Sequence, residues 1–362
     1  MPVLRADECG SRRRCRTFLI AGVLVLGACR AVPAPIFDPV DPPILWPPRP
    51  DEARISYVGR ISSSADLKPT RSFARRIGDL IVGAEEPKEL YGPRSVVRTR
   101  DGARLWIADP GGRCLHLFDL ENRNYAKIER VGGEQLLSPV GVCLGTQGTL
   151  YLCDSEAVAV YSLDDRTGAW IGTITGPETL QRPAALCFVE SRDELFVVDS
   201  GSHDVKVLST RGELVRILGK RGSGRGELNF PCDITTGDGA VWISDSGNHR
   251  VQALSYDGDF LTEIGGAGDA PGDLSLPKGI ALDDSGRVYV VDARFENVQI
   301  FDESGQLLLF FGQEGPGPGE FWLPSGLFID AENRIWVCDS YNRRIQVFDL
   351  HPKVEADGNA DD

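Results

Sequence analysis

Apolar and polar positions fall along this chain in short runs, not in helical turns. Residues 279–311 show the pattern. A brief apolar run over 279–282 meets Asp283-Asp284-Ser285-Gly286, four turn formers in a row. Residues 287–291 are mostly β-branched or aromatic and stop at Asp292. Two further runs, 298–301 and 306–311, flank a second turn at 302–305. No 3.6-residue period crosses the stretch, so it predicts four strands and no helix.

The same unit recurs. Prolines at Pro93, Pro139, Pro183, Pro231, Pro277 and Pro324 are separated by 46, 44, 48, 46 and 47 residues. After each comes an aspartate in phase: Asp109, Asp154, Asp199, Asp245, Asp292 and Asp339. Three residues before each aspartate stands an aromatic: Trp106, Tyr151, Phe196, Trp242, Tyr289 and Trp336. Four strands in each of six units of this length predict an all-β fold. It is a six-bladed β-propeller of four-stranded antiparallel blades over about 54–350. The sixth unit runs out after its third strand, near 345–348. A spare strand-like run at 54–61 is expected to supply the missing outer strand, because an open ring would expose a sheet edge. Residues 72–84 read as one amphipathic turn or helix covering an end.

Repetition also decides what the repeated residues do. A carboxylate at every strand end suits an Asx-type turn that accepts backbone N–H groups, whereas an active site requires asymmetry. The six aspartates are therefore expected to be structural. The repeated aromatics are expected to pack between blades. Gly-rich connectors such as 219–226 invite a phosphate-loop reading. They recur in phase at 312–319, lack a Gly-Lys-Ser/Thr ending and precede no helix, so they read as blade-to-blade loops.

The residues now carry a family resemblance. Asp245-Ser246-Gly247-Asn248-His249-Arg250-Val251-Gln252 and Asp339-Ser340-Tyr341-Asn342-Arg343-Arg344-Ile345-Gln346 resemble NHL repeats, as does Leu276-Pro277-Lys278-Gly279-Ile280-Ala281. The match is specific in units four to six and drifts in one to three. The whole chain is similar to bacterial lipoproteins built as six-bladed NHL propellers.

The N-terminus fits such a protein. Arg12, Arg13, Arg14 and Arg16 precede an apolar run over 17–28, too short to span a bilayer. It ends Leu26-Gly27-Ala28-Cys29, which resembles a bacterial lipobox. The expected organisation is a signal peptide over 1–28, then a lipidated Cys29 opening a Pro-rich tether over 29–53. The propeller over 54–350 and an acidic, disordered tail over 351–362 come after it. Polyproline geometry would make the tether a semi-rigid spacer, with Trp46 docking back onto the domain. Arg30 after Cys29 points to the cell envelope, at the periplasmic face of the outer membrane or the outer surface.

Charge and candidate chemistry narrow the function. The chain carries 39 Lys+Arg against 53 Asp+Glu, a net of −14, which becomes −17 once residues 1–28 and their five arginines and two acids are removed. That balance opposes nucleic-acid binding. Four scattered histidines offer no metal-ligand spacing, and no Cys-x-x-Cys exists. No cofactor or metal is expected. Cys114, Cys143, Cys153, Cys187, Cys232 and Cys338 read as buried free thiols, with Cys143 and Cys187 the one pair worth testing as a disulfide.

What remains is a non-enzymatic scaffold, monomeric, membrane-anchored through its lipid, that binds an unidentified envelope protein. Loops after the second strands and the connectors should open on one face. Arg113, Glu156, His203, Arg294, Phe295 and Tyr341 stand in the first set, and Arg221, Arg225, Phe321 and Trp322 in the second. Arg294, Phe295, Tyr341, Arg221, Arg225 and Trp322 are the candidate partner-binding residues. The resemblance also implies an alternative, a calcium-dependent hydrolase or lactonase working in the central channel. Glu89, ahead of Gly92-Pro93, faintly matches a ligand of that class.

Overall fold

The computed structural model of the chain describes residues 34–69 and 86–351. The expected signal peptide, the lipidated Cys29, the turn or helix at 72–84 and all of the tail after His351 lie outside these residues. The chain divides into two compact units, Met1–Ala34 and Pro35–Asp362, and the second holds every blade. Among the described residues no helix is long and apolar enough to cross a membrane.

Six four-stranded antiparallel blades form a ring. Blade one holds Ser95–Arg98, Arg104–Asp109, Cys114–Asp119 and Asn124–Ile128. Blades two to five begin with the inner strands Pro139–Leu144, Pro183–Val189, Pro231–Gly237 and Pro277–Leu282. Blade six begins with Leu327–Ile329 and continues through Arg334–Asp339 and Arg344–Leu350. Each inner strand packs on the inner strands of both neighbouring blades, blade six on blade one included. The second strands are buried on both faces, which explains why they read as unbroken apolar runs. The repeated aromatics Trp106, Phe196, Tyr289 and Trp336 are fully buried there. The outer strands instead alternate, as in Leu307–Phe311, where Leu308 and Phe310 face solvent.

Ile55–Ile61 pairs antiparallel with Arg344–Leu350, Ile55 opposite Leu350 and Ile61 opposite Ile345. The first strand of the ring therefore completes the last blade. The tether over 29–53, expected as a semi-rigid spacer with Trp46 docking back, lies on the blades from Pro35 onward and not at Trp46 alone. Leu45–Trp46 adds a short strand to Ile55 and Ser56. Trp46 packs on Phe311 and Phe348 at 5.8 and 5.7 Å. Phe37 lies over Gly59, where a Cβ would clash with its ring. Two aromatic anchors bury enough apolar surface to hold this segment on the blades, so it is a strap and not a spacer.

Each repeated aspartate is fully buried, and in blades one, two, three and five it collects backbone N–H groups from two directions. Asp292 accepts from Ser275 and Leu276 of the incoming connector, and from Arg294 and Phe295 of its own turn. Asp109, Asp154 and Asp199 do the same with Tyr91 and Gly92, Leu137 and Ser138, and Gln181 and Arg182. In blades four and six, side chains join in. Arg344 donates to Asp339 at 2.7 Å and to the connector carbonyls of Pro316, Gly317 and Glu320. Gln346 donates to Asp339 and to the Glu320 carbonyl. Arg250 and Gln252 repeat this around Asp245.

The turn has a second effect. The fourth residue after each aspartate, Arg113, Val158, His203, His249, Glu296 and Arg343, sits at positive φ. In three blades this side chain reaches the next blade's connector. His203 Nδ1 accepts from Phe230 N–H, His249 Nδ1 donates to the Ser275 carbonyl, and Glu296 accepts from Leu323 N–H. His203 is thus a buried clamp between blades, correcting its expected place as a presented loop residue.

The two kinds of aspartate site should differ in energy. Asp292→Ala leaves several N–H groups unpaired and should cost about 2–3 kcal/mol. Asp339→Ala also strands the buried Arg344 cation, so about 3–5 kcal/mol is expected. Urea denaturation of both variants checks the order.

Candidate functional site

The loops after the second strands and the connectors do open on one face. The turn N–H of Tyr341 donates to the Trp322 carbonyl, and that of Ala293 to the Leu276 carbonyl. On this face the candidate residues do not form one patch. Trp322 and Tyr341 come together, 51% and 62% exposed, with ring centroids 5.8 Å apart. Exposed Arg294 belongs to the neighbouring blade-five loop, whose Glu296 holds Leu323 beside Trp322. Phe295 lies in the same turn and is half-buried. Arg221 and Arg225 are exposed but lie in the connector between blades three and four. Arg225 reaches outward over the Phe260 ring at 5.2 Å, away from the blade-six pair. Phe321 is buried under its connector.

The inner strands begin at this same face and surround a central channel of about 250 Å³. The residue after each repeat proline sits at the channel mouth. Around the ring these are Arg94, Val140, Ala184, Cys232, Lys278 and Ser325. One position further in stand Ser95, Gly141, Ala185, Asp233, Gly279 and Gly326. Glycine is required at two of these. A Cβ on Gly279 would meet the Ser325 carbonyl, and one on Gly326 the Arg94 carbonyl, because the inner strands of blades five, six and one approach closely.

Among the described residues Asp233 is the sole carboxylate in the channel lining, and Arg94 and Lys278 its only cations. The Asp233 carboxylate accepts from its neighbour Ile234 N–H and from Ile280 N–H of blade five, each at 3.0 Å. Ser95 makes the matching bridge from blade one to Val142 N–H of blade two. Burial pushes the Asp233 carboxyl up to about 7, against the pull of those two N–H groups and of the Arg94 charge across the channel. No hydrogen bond or ion pair among the described residues engages the Arg94 guanidinium or the Lys278 ammonium. Ser325 Oγ, between them in the ring, is held by the Pro93 and Arg94 carbonyls and by Ser340.

The thiols are quiet. All six described cysteines are free. Cys143 and Cys187 occupy matching places on adjacent inner strands and line the channel. Burial raises both thiols well above their ordinary range, so they stay protonated at neutral pH. Cys114 is pushed up to about 12 for the same reason. The four histidines are all engaged elsewhere. His116 lies buried against Asp109, Cys114 and Tyr125, and His351 bonds Ser56. Among the described residues no group of three His, Cys, Asp or Glu side chains is placed to hold a metal ion. Glu89 pairs with Ser63 through its backbone and is absent from the channel lining.

Sequence reasoning missed Arg94, Asp233 and Lys278. The signal was present in the two columns after the repeat proline, where charges interrupt small and apolar residues.

Known proteins share the fold. A family described as a 6-bladed beta-propeller matches residues 280–360. No curated protein matches. A structural genomics protein of unknown function from Bacteroides thetaiotaomicron superposes with a TM-score of 0.58 at 15% identity, over 73% of this chain and 70% of that one. A catalytically inactive virginiamycin B lyase from Staphylococcus aureus, bound to quinupristin, gives 0.53 at 14% identity, over 72% and 95%. A gluconolactonase from Xanthomonas campestris gives 0.54 at 16%, over 72% and 87%. These are likenesses of fold.

The Asp233 site predicts a pH dependence. Its folded value lies above the ordinary carboxylate range, so its contribution to stability is complete below about pH 4 and is lost as pH rises through about 7. Asp233→Asn should remove that decline. The difference in urea midpoint between wild type and variant should therefore shift against wild type from pH 5 to pH 8, and a constant difference would refute the assignment.

Proposed function

We propose that this chain is an exported, NHL-type propeller that docks an envelope protein on its connector face and catalyses no reaction. In this reading Cys29 carries the lipid that holds it at the membrane, and the propeller is monomeric. The observation that supports docking most directly is the Trp322–Tyr341 pair, two large rings in mutual contact and more than half exposed. Paired, exposed aromatics are the chemistry of interface hot spots, and exposed Arg294 stands in the loop of the neighbouring blade. The net charge of −14 favours a protein partner over nucleic acid.

The alternative, calcium-dependent hydrolysis in the channel, draws its support from the resemblance and from the gluconolactonase's shared fold. Calcium takes six to eight oxygen ligands, usually with several carboxylates. The described channel offers one carboxylate and two cations, a poor match.

Two experiments test the proposal. Trp322→Ala with Tyr341→Ala should reduce crosslinked partner capture in intact cells at least about tenfold, in line with loss of a hot spot. Thermal melting should not change, because both side chains are exposed. Undiminished capture would discard this face. Cys29→Ser should move the chain from the membrane to the soluble fraction, and retention there would discard the lipid anchor.

A further inference from the structure

We infer that the channel mouth binds a small carboxylate ligand, its anion held by Arg94 and Lys278 and its apolar body lying toward Val140 and Ala184. Such binding is separate from partner docking and does not depend on it.

Three observations carry it. First, the two cations are unsatisfied. Arg94 and Lys278 line a confined cavity and are partly withdrawn from water, yet no carboxylate lies within ion-pair distance of either among the described residues. Elsewhere acids outnumber bases, and the buried Arg344 and the half-buried Arg98 and Arg216 all have carboxylate partners. An anionic ligand would supply the partner that neither cation has. An arginine fork supplies bidentate geometry for a carboxylate, and a lysine adds a point charge.

Second, the mouth is asymmetric although the scaffold is repeated. Lys278, Ser325 and Arg94 belong to the consecutive blades five, six and one, so cation, hydroxyl and cation form one arc. The opposite arc, Val140 and Ala184, is apolar. A ligand charged at one end and apolar at the other matches both arcs. Asp233 faces Arg94 from blade four with no ion pair between them, and both its oxygens are occupied by backbone N–H groups. It biases the mouth against a dianion without neutralising the two cations.

Third, size fits. A channel of about 250 Å³ is smaller than the pockets that take drug-sized ligands. It suits a short carboxylic acid.

Titration calorimetry on the full-length chain at pH 8 tests this, with sodium benzoate and sodium hexanoate as probes and benzamide and hexanamide as neutral counterparts. At least one carboxylate should bind saturably, with its amide about tenfold weaker or worse. Arg94→Gln and Lys278→Gln should each weaken the carboxylate about tenfold and leave the amide unchanged. Asp233→Asn should tighten it. Melting curves establish that each variant is folded, and Lys278→Gln serves if Arg94→Gln is not. No saturable binding by either carboxylate overturns the inference. So does equal affinity for acid and amide, or binding that neither cation substitution weakens. Because the readout is the isolated chain, failure here leaves the docking proposal standing, and loss of partner capture leaves this one standing.

Discussion

A buried carboxylate at the end of each second strand is the constraint on which the rest of the propeller depends. Each accepts from the N–H groups of the connector that arrives, and in blades one, two, three and five also from those of the turn that leaves, so it fixes where the inner strand begins and how the turn is shaped. A buried N–H without an acceptor costs free energy, and six such sites would leave many of them. The same turn places its fourth residue at positive φ, and that residue can then clamp the next blade. In blades four and six, Arg250 with Gln252 and Arg344 with Gln346 extend the network over the whole glycine-rich connector. The connector's many glycines are therefore held from beneath by side chains of one strand.

This hierarchy explains what is legible in the sequence. Strand count, blade count and the roles of the repeated aspartates and aromatics are readable because six copies test one another. The spare strand at 54–61 is readable because a ring of strands must close. The strap at 35–53 is hidden because a proline-rich composition is the same in a free spacer and in a docked segment. Phe37 and Trp46 are the residues that separate the two. Trp46 reads as a dock, yet that reading alone does not reveal that the rest of the segment follows it onto the blades. His203 departs from expectation for another reason: loop position is set by sequence, whereas its side-chain direction follows from the left-handed turn. Arg94, Asp233 and Lys278 escape because repeat analysis rewards columns that agree, and they stand in columns that do not.

Function in a repeated scaffold has to come from departures of that kind. The blade-six loop departs by placing Trp322 and Tyr341 in contact at the surface. The inner ring departs by placing Arg94 and Lys278 where other blades have small or apolar residues. Both departures share the connector face, and both lie within the sector of blades five, six and one. The close strand approach at Gly279 and Gly326 belongs to the same sector, so the backbone there is held tightly while the side chains above it are free to differ.

The pairing of Ile55–Ile61 with Arg344–Leu350 also orders events in time. Blades one to five can each form as soon as their own residues have emerged, since their strands are consecutive. Blade six cannot, because its outer strand is made first and its other three strands last. Until both ends of the ring are present, Ile55–Ile61 has no partner and the flank of blade one stays uncovered. Contacts of such long sequence separation form slowly and leave an exposed edge in the interval. The ring is thus kept from completion until nearly all of the chain has been made, and a truncation near Leu350 would unlock the whole circle, not trim one end.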